Sequence, residues 1–239
     1  MQSSVYVALS AQKTLLKRLD SIANNVANVS TPGYRSEEIA FSTLVSDRTS
    51  DPVSFAMQGK DYLSTRSGAL TRTDSPLDLA IAGDAWFAIE TAQGFSYTRD
   101  GRFQMSANGD LVTVTGDRVL DSGGAGLQLN PAGGQIVVAR DGSVTQDGRT
   151  IGAVGLFQIP ESANLRRAAN GSVVSDQPAV PQLDFNRVAV AQGFIERSNV
   201  DPVLEMTRLI GIQRAFDSIT NTVSEVESSM NEAIRSLAG

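Results

Sequence analysis

Heptad-spaced apolar residues occur at both ends of this 239-residue chain, and they constrain its fold more than any other feature. Alternating steps of three and four residues are the spacing of a coiled-coil seam. No local hairpin can join the two helices, because most of the sequence separates them. They therefore either pair with each other across the middle of the chain or pack against copies of themselves. The predicted seam comprises Leu15, Leu19, Ile22 and Val26 near the N-terminus, and Ile212, Phe216, Ile219, Val223 and Val226 near the C-terminus.

The boundaries of both helices can be predicted from their flanking residues. The first helix is expected over 3–29, because Pro32 cannot continue a helix and disfavours helical geometry in Thr31. The second helix is expected over 202–237, with Asp201 as its cap and Pro202 in its first turn. Both seams contain few large apolar residues, and helices of this kind are only marginally stable when they are isolated in water. We therefore expect the ends of the chain to become ordered on assembly.

Between the helices the sequence lacks helical periodicity. Residues 34–75 are polar and predict an extended connector with one or two short strands. Residues 76–185 show short apolar runs separated by Asp-Gly and Asn-Gly turns roughly every ten residues, which is typical of an all-β sandwich or barrel. Residues 186–239 supply a return strand and the C-terminal helix. The predicted fold class is α+β with a mainly β core, in which long terminal helices (1–33 and 186–239) flank a central domain of short antiparallel strands.

The composition excludes several classes of function. The chain has no histidine and no cysteine, which removes Ser/His/Asp and Cys/His nucleophile systems as well as imidazole and thiolate metal sites. A net charge of -6 without a basic run argues against nucleic acid as a partner. The first residues lack the pattern of a cleaved signal peptide, and no segment has the apolar length of a membrane helix. We therefore expect no catalytic residue, cofactor, metal or small-molecule substrate.

Two other classes of function have specific tests. A peptidoglycan-cleaving enzyme would need a carboxylate pair, for which Asp78 and Asp84 are the candidates. Soluble fragments released from purified peptidoglycan, and lost on changing either carboxylate, would favour this hypothesis. A monomeric β domain that binds a surface ligand would keep its activity after deletion of both helices, whereas an assembling subunit would lose it.

Polar residues close to the predicted seam are candidates for contacts between subunits. A buried polar group costs stability unless a specific neighbour satisfies it. The asparagine cluster therefore favours use of the helix ends in assembly over a solvated, fraying end. The candidates for hydrogen bonds between subunits are Asn24, Asn25 and Asn28 in the last turns of the first helix, and Ser198, Asn199 and Asp201 before the second.

Three segments resemble motifs of one known family, in the family's order. Residues 23–35 read ANNVANVSTPGYR, residues 97–101 read YTRDG, and residues 198–210 read SNVDPVLEMTRLI. These segments resemble the N-terminal, central and C-terminal motifs of the bacterial flagellar axial proteins, the rod and hook family. The length and the opening residues 4–10 are most similar to proximal rod members, with the longer distal rod and hook members as alternatives. The chain departs from the family at Ala85 and Trp86, where Gly-Phe is more usual, and at Arg35, where lysine is common.

The resemblance implies a structural and mechanical function. Family members pack their terminal helices into the inner tube of a hollow axle and place the β domain outside it. The implied partners are copies of this chain, other rod subunits and the flagellar type III export apparatus. The implied location is the flagellar basal body, where the rod crosses the periplasm after export without a cleaved signal peptide. On this basis the chain is expected to serve motility by transmitting torque, and not to be an enzyme.

Overall fold

The computed structural model describes residues 2–46, 53–168 and 170–238, which form two compact units. A helical unit comprises Met1–Ala27, Glu37–Tyr62 and Asp201–Gly239, and a β unit comprises Asn28–Ser36 and Leu63–Val200. None of the helices in these ranges has both the length and the apolar character needed to cross a membrane. The division confirms a mainly β chain with one long helix at each end.

The two helices begin and end within two residues of the predicted bounds. Helix α1 covers Gln2–Ala27 and helix α2 covers Pro202–Ala238. The Asp201 carboxylate accepts hydrogen bonds from the backbone N–H groups of Val203 and Leu204, at 3.0 and 3.1 Å. These are donors that the first turn of a helix leaves without intrahelical partners, so Asp201 is the N-cap as predicted.

Strands β1 (Glu37–Ser46) and β2 (Val53–Leu63) form a two-stranded sheet where the sequence predicted an extended connector with one or two short strands. With 10 and 11 residues, they are the longest strands among the described residues. The apolar runs of β1 are only three and two residues long, Ile39–Phe41 and Leu44–Val45, and Ser42 and Thr43 separate them. The polar composition therefore led to an underestimate of how far the strands extend.

Helices α1 and α2 pack against each other in antiparallel orientation. Gln12 Nε2 donates a hydrogen bond of 3.3 Å to Thr220 Oγ1, and further along the pair Leu19 and Ile212 line one groove. From Gln12 to Leu19 the residue number increases along α1, whereas from Thr220 to Ile212 it decreases along α2. The two helices therefore run in opposite directions. Of the two arrangements that the sequence allowed, the single chain therefore shows pairing across the middle. A coiled-coil geometry for this pair stays a prediction.

The β unit consists of short strands, most of them where the turn spacing predicted a strand. Its first half contains β3 (Leu70–Arg72), β4 (Leu79–Ala82), β5 (Trp86–Thr91), β6 (Gly94–Thr98), β7 (Phe103–Met105), β8 (Leu111–Thr113) and β9 (Arg118–Val119). Its second half contains β10 (Ile136–Val138), β11 (Ser143–Gln146), β12 (Arg149–Ala153), β13 (Leu156–Gln158), β14 (Leu165–Arg167), β15 (Val173–Ser175), β16 (Val180–Pro181), β17 (Ala189–Gln192) and β18 (Phe194–Glu196).

Antiparallel pairing organises the β unit around strand β5. The largest sheet has nine strands and follows the order β14-β15-β6-β5-β9-β8-β7, with β13 pairing both β5 and β16. Strands β10, β11 and β12 form a separate sheet, and β17 pairs β4 while β18 pairs β3. Strands β14 to β16 lie within residues 76–185, which the sequence predicted as the central β domain. The main core is apolar and includes Leu79, Ile81, Phe87, Ile89, Phe103 and Val119.

Candidate assembly site

The predicted seam is only partly buried within the chain. Leu15, Leu19, Ile212 and Phe216 line a groove of about 360 Å³ between α1 and α2. Ile22 and Ile212 are buried, but the other members whose side chains the structure describes remain half-exposed. These half-exposed members are Leu15, Leu19, Val26, Phe216, Ile219 and Val223, while the side chain of Val226 lies outside the described part of the structure. Intrachain pairing thus leaves apolar area in contact with water.

A second apolar stripe runs along α2, on the face opposite the seam. Val203, Met206 and Ile210 follow steps of three and four residues, and Val203 is 74% exposed and Ile210 50% exposed. On α1, Leu9 and Leu16 lie two turns apart on one face, and both are about half exposed. Contiguous exposed apolar residues of this kind mark interaction surfaces.

The two helices carry opposite net charge. Three basic residues and one acidic residue give α1 a charge of +2, whereas five acidic and three basic residues give α2 a charge of -2. Charges of opposite sign favour α1–α2 contacts over α1–α1 or α2–α2 contacts. This preference applies equally to helices of one chain and to helices of neighbouring copies.

The polar residues predicted for contacts between subunits make hydrogen bonds within the chain. Asn25 is buried, and its side chain donates to the carbonyl oxygen of Glu37 at 3.0 Å and accepts from the Glu37 N–H at 2.9 Å. Asn28 Oδ1 accepts from the Thr31 hydroxyl at 3.1 Å, and Asn24 is exposed. The role of these asparagines between subunits stays a prediction.

The candidates before α2 are engaged in a similar way. Asn199 accepts from the Ser36 N–H at 2.6 Å through Oδ1 and donates to the Arg66 carbonyl at 2.8 Å through Nδ2. Ser198 Oγ accepts from the Val200 N–H at 3.3 Å. Asn199 therefore ties the segment after α1 to the segment before α2, both within the β unit.

A buried charged cluster in the β unit joins the three family-like motifs. Glu196 of β18 accepts ion pairs from Arg35 and Arg99, each at 3.0 Å, and all three side chains are at most 1% exposed. Arg35 belongs to the N-terminal motif, Arg99 to the YTRDG motif, and Glu196 lies two residues before the C-terminal motif. Both guanidinium groups also lie about 5.5 Å from the Trp86 ring centroid, within the range of a cation–π contact.

The cluster holds two guanidinium groups against a single buried carboxylate. Burial lowers the pKa of Arg35 to about 10 and also lowers the pKa of Arg99. Arginine side chains in proteins nevertheless stay protonated. Two cations therefore share one buried carboxylate, and the exposed Asp84 lies 3.9 Å from Arg99 Nη2. Arg35 Nε, Arg35 Nη1 and Arg99 Nε have no hydrogen-bond partner among the described residues. Removal of a buried partner charge is costly, so Glu196 is the residue on which this arrangement depends.

Gly33 allows the N-terminal motif to approach the YTRDG motif closely. Its φ of +68° lies in the left-handed region, and a Cβ there would be 2.2 Å from the backbone nitrogen of Asp100. The Gly33 N–H donates to the Glu196 carbonyl oxygen at 2.8 Å. Only glycine satisfies both the backbone conformation and the spacing.

Substitution of Gly33 by alanine is expected to destabilise the β unit more than the same substitution at Gly148. Gly148 has a similar φ of +74°, but a Cβ added there would have no atom of the described residues within 4 Å, so G148A measures backbone strain alone, about 1–2 kcal/mol. G33A adds a collision with backbone atoms that cannot rotate away. Thermal unfolding monitored by tryptophan fluorescence should give the lower midpoint for G33A, and equal midpoints would contradict the close approach.

Asp78 and Asp84, the two carboxylates that the enzyme hypothesis would need, lie at a β-bridge and after a turn. Asp78 forms an isolated β-bridge with Arg102, and its carbonyl oxygen accepts from the Gly193 N–H at 2.8 Å. Asp84 follows the turn after β4 and is 61% exposed, 3.9 Å from Arg99 Nη2. Among the described residues, no group of three or more acidic side chains could hold a metal ion.

Comparison with known proteins identifies the family. Three family profiles match the chain: the flagella basal body rod protein over residues 5–35, the flagellar hook protein FlgE/F/G D1 domain over residues 80–146, and the flagellar basal body rod FlgEFG protein C-terminal region over residues 191–236. The flagellar basal-body rod protein FlgF of Mesorhizobium japonicum is 48% identical, over 99% of this chain and 98% of that protein. The chain belongs to the flagellar basal-body rod protein family.

Other rod proteins of this family match over almost the same length. FlgF of Rhizobium meliloti is 45% identical, over 100% of this chain and 99% of its own. The flagellar basal-body rod protein FlgG of Bacillus subtilis is 31% identical, over 98% of each chain. The resemblance inferred from the sequence motifs is therefore confirmed, and the chain is a structural protein of the flagellar basal body.

Sequence reasoning missed the charged cluster, although it had quoted two of its members. Arg35 and Arg99 lie inside motifs that were singled out, but Glu196 is 97 residues from Arg99 along the chain. One usable signal was present: Glu196 follows Phe194 and Ile195 in a short apolar run, where a charged residue needs a buried partner.

Proposed function

We propose that this rod-family chain polymerises through its terminal helices into a hollow axle that transmits torque across the periplasm. Its partners in this proposal are copies of itself, other rod subunits and the flagellar type III export apparatus, and its position is in the proximal part of the rod. Membership of the rod protein family supports assembly with rod components. The exposed apolar stripes of both helices support the choice of surface.

The unpartnered apolar residues of α2 carry the proposal. Val203, Met206 and Ile210 are exposed in the single chain, so they contribute little to its folding. Burial of apolar surface against a neighbour would stabilise the polymer by about 25 cal/mol per Å². The half-buried seam offers the complementary surface, because Leu15, Leu16 and Phe216 line an open groove. Packed helices would then carry torque from subunit to subunit.

The polar residues that flank the helices complete the proposed interface. In this scheme Asn24, Asn25, Asn28, Ser198, Asn199 and Asp201 contribute hydrogen bonds between subunits as well as within the chain. Asn24 is the best placed of these, since it is exposed on α1. A side chain that already accepts one hydrogen bond, such as that of Asn28, retains capacity for another.

Replacement of Ile210 by aspartate should prevent assembly without unfolding the chain. Ile210 is exposed, and surface substitutions usually change the free energy of unfolding by about 0.5 kcal/mol or less. Sedimentation velocity over a range of concentrations should show polymers for the unmodified chain and monomers for I210D. The matched control is S218D, which adds the same charge at an exposed polar position of the same helix.

The outcome separates the assembly surface from general effects of charge. Loss of assembly in both variants would indicate that added charge alone disrupts the polymer. Normal assembly of I210D would contradict the proposed use of this stripe. Far-UV circular dichroism of both variants checks that the helices remain formed.

A further inference from the structure

A polar pocket lies in the helical unit where α1, β1 and α2 meet. Its volume is about 120 Å³. Arg18 and Arg208 in its wall are exposed, whereas Asn25 and Glu205 are buried, so the pocket leads from solvent to buried groups. The lining residues are Arg18, Ser21, Ile22, Asn25, Glu37, Glu38, Ile39, Glu205 and Arg208.

One carboxylate oxygen in the wall of this pocket lacks a donor. Glu205 Oε1 accepts from Arg208 Nη1 at 2.6 Å, but Oε2 is buried without a hydrogen-bond partner among the described residues. The side chain is only 5% exposed. Other polar groups of the wall are engaged, since Ser21 and Asn25 both donate to the Glu37 carbonyl oxygen. A buried acceptor left unpaired is costly, and more so when it is charged.

The charges around the pocket indicate the kind of group that would satisfy Glu205. Three glutamates and two arginines line it, which gives a net charge of -1. A cationic donor would balance this charge and supply the missing hydrogen bond, whereas an anion would be repelled. On the same measure as the pocket volume of about 120 Å³, a single water molecule needs about 10–15 Å³, so the pocket has room for the head of a lysine or arginine side chain.

We propose that this pocket receives a lysine or arginine side chain from a second copy of the chain when subunits assemble. This inference rests on the proposed polymerisation through the terminal helices. The helices supply suitable donors, because some exposed basic side chains have no ion pair among the described residues. These are Lys13 of α1, and Arg214 and Arg235 of α2.

Replacement of Glu205 by glutamine tests the role of the pocket in assembly. E205Q keeps the size of the side chain and an acceptor for Arg208, but removes the charge. The concentration needed for assembly, measured by sedimentation velocity on the full chain, should rise about tenfold, which corresponds to about 1.4 kcal/mol. The matched control is E225Q, an exposed glutamate of the same helix, which should assemble as the unmodified chain does.

A second measurement does not depend on assembly. Methylguanidinium chloride, titrated into the full chain below its assembly concentration, should shift the amide resonances of Glu205 and Arg208 saturably. The same titration should leave E205Q unaffected. Retention of helical circular dichroism in E205Q separates loss of the contact from loss of the fold.

The two measurements distinguish failure of the pocket from failure of the proposed function. Assembly of folded E205Q at the concentration of the unmodified chain would overturn the proposal, whatever methylguanidinium does, and would leave water as the occupant. An unmodified chain that never assembles would contradict polymerisation itself. In that case the absence of a saturable methylguanidinium shift would contradict the binding of a cation in this pocket. A saturable shift that is lost in E205Q would support it.

Discussion

Substitution of Phe216 by aspartate is expected to abolish rod assembly and to stop motility. Phe216 lines the groove between α1 and α2 together with Leu15 and Leu19. The variant removes an aromatic contact and places a charge in apolar surroundings. We expect it to weaken the free energy of assembly by about 3–5 kcal/mol. A loss of this size raises the concentration needed for assembly by about a hundredfold or more. Swimming in soft agar and recovery of basal bodies from complemented cells would measure the effect.

The control for F216D must add the same charge elsewhere on the helix. Ser218 is exposed, and S218D should support swimming at the rate of the unmodified chain. Because F216D also disturbs pairing within the chain, the tryptophan fluorescence of Trp86 provides a check on the β unit, which should remain folded. Normal swimming of cells that carry F216D would contradict the role of the seam.

Substitution of Glu196 by glutamine is expected to give the largest loss of stability in the β unit. The variant removes the buried carboxylate that Arg35 and Arg99 share, and breaking a buried ion pair costs about 3–5 kcal/mol. For a chain of this size, each kcal/mol lowers the unfolding midpoint by about 2–4 °C. The midpoint should therefore fall by about 10 °C. Trp86 is the single tryptophan of the chain and contacts both arginines, so its fluorescence reports on the cluster directly.

A surface ion pair provides the comparison for E196Q. Glu90 lies 3.6 Å from Arg118, and both side chains are about half exposed. Exposed ion pairs contribute about 0–1 kcal/mol to the free energy of unfolding. E90Q should therefore shift the midpoint of thermal unfolding by no more than a few degrees. Equal shifts for E90Q and E196Q would show that the buried cluster does not hold the three motifs together.

The terminal helices were predictable because their signals are local. Heptad spacing, the Asp201 cap and the Pro32 stop each depend on residues within a few positions of one another. The structure confirms α1 and α2 within two residues of those bounds, and it confirms Asp201 as the cap. The turn glycines likewise predicted most strands of the β unit, because positive φ is required wherever the chain reverses tightly.

The remaining features depend on partners that are distant in sequence. The Arg35–Glu196–Arg99 cluster joins segments up to 161 residues apart, and nothing local marks Glu196 as their common partner. Strand β1 was missed and β2 was predicted only as short strands, because polar residues interrupt their apolar runs. For Asn25 the sequence showed that a partner is needed, but not that the Glu37 backbone within the chain supplies one.

The exposed stripes of the terminal helices allow a direct test of assembly through these surfaces. The chain has no cysteine, so the variants L16C and I210C each introduce a single thiol at an exposed apolar position. Q93C places one in an exposed turn of the β unit. The rate of maleimide labelling would be measured for each variant in the dilute chain and in the assembled polymer. We expect assembly to slow labelling of L16C and I210C while Q93C labels at an unchanged rate; equal rates for L16C and I210C in the two states would contradict burial of the terminal helices in neighbouring subunits.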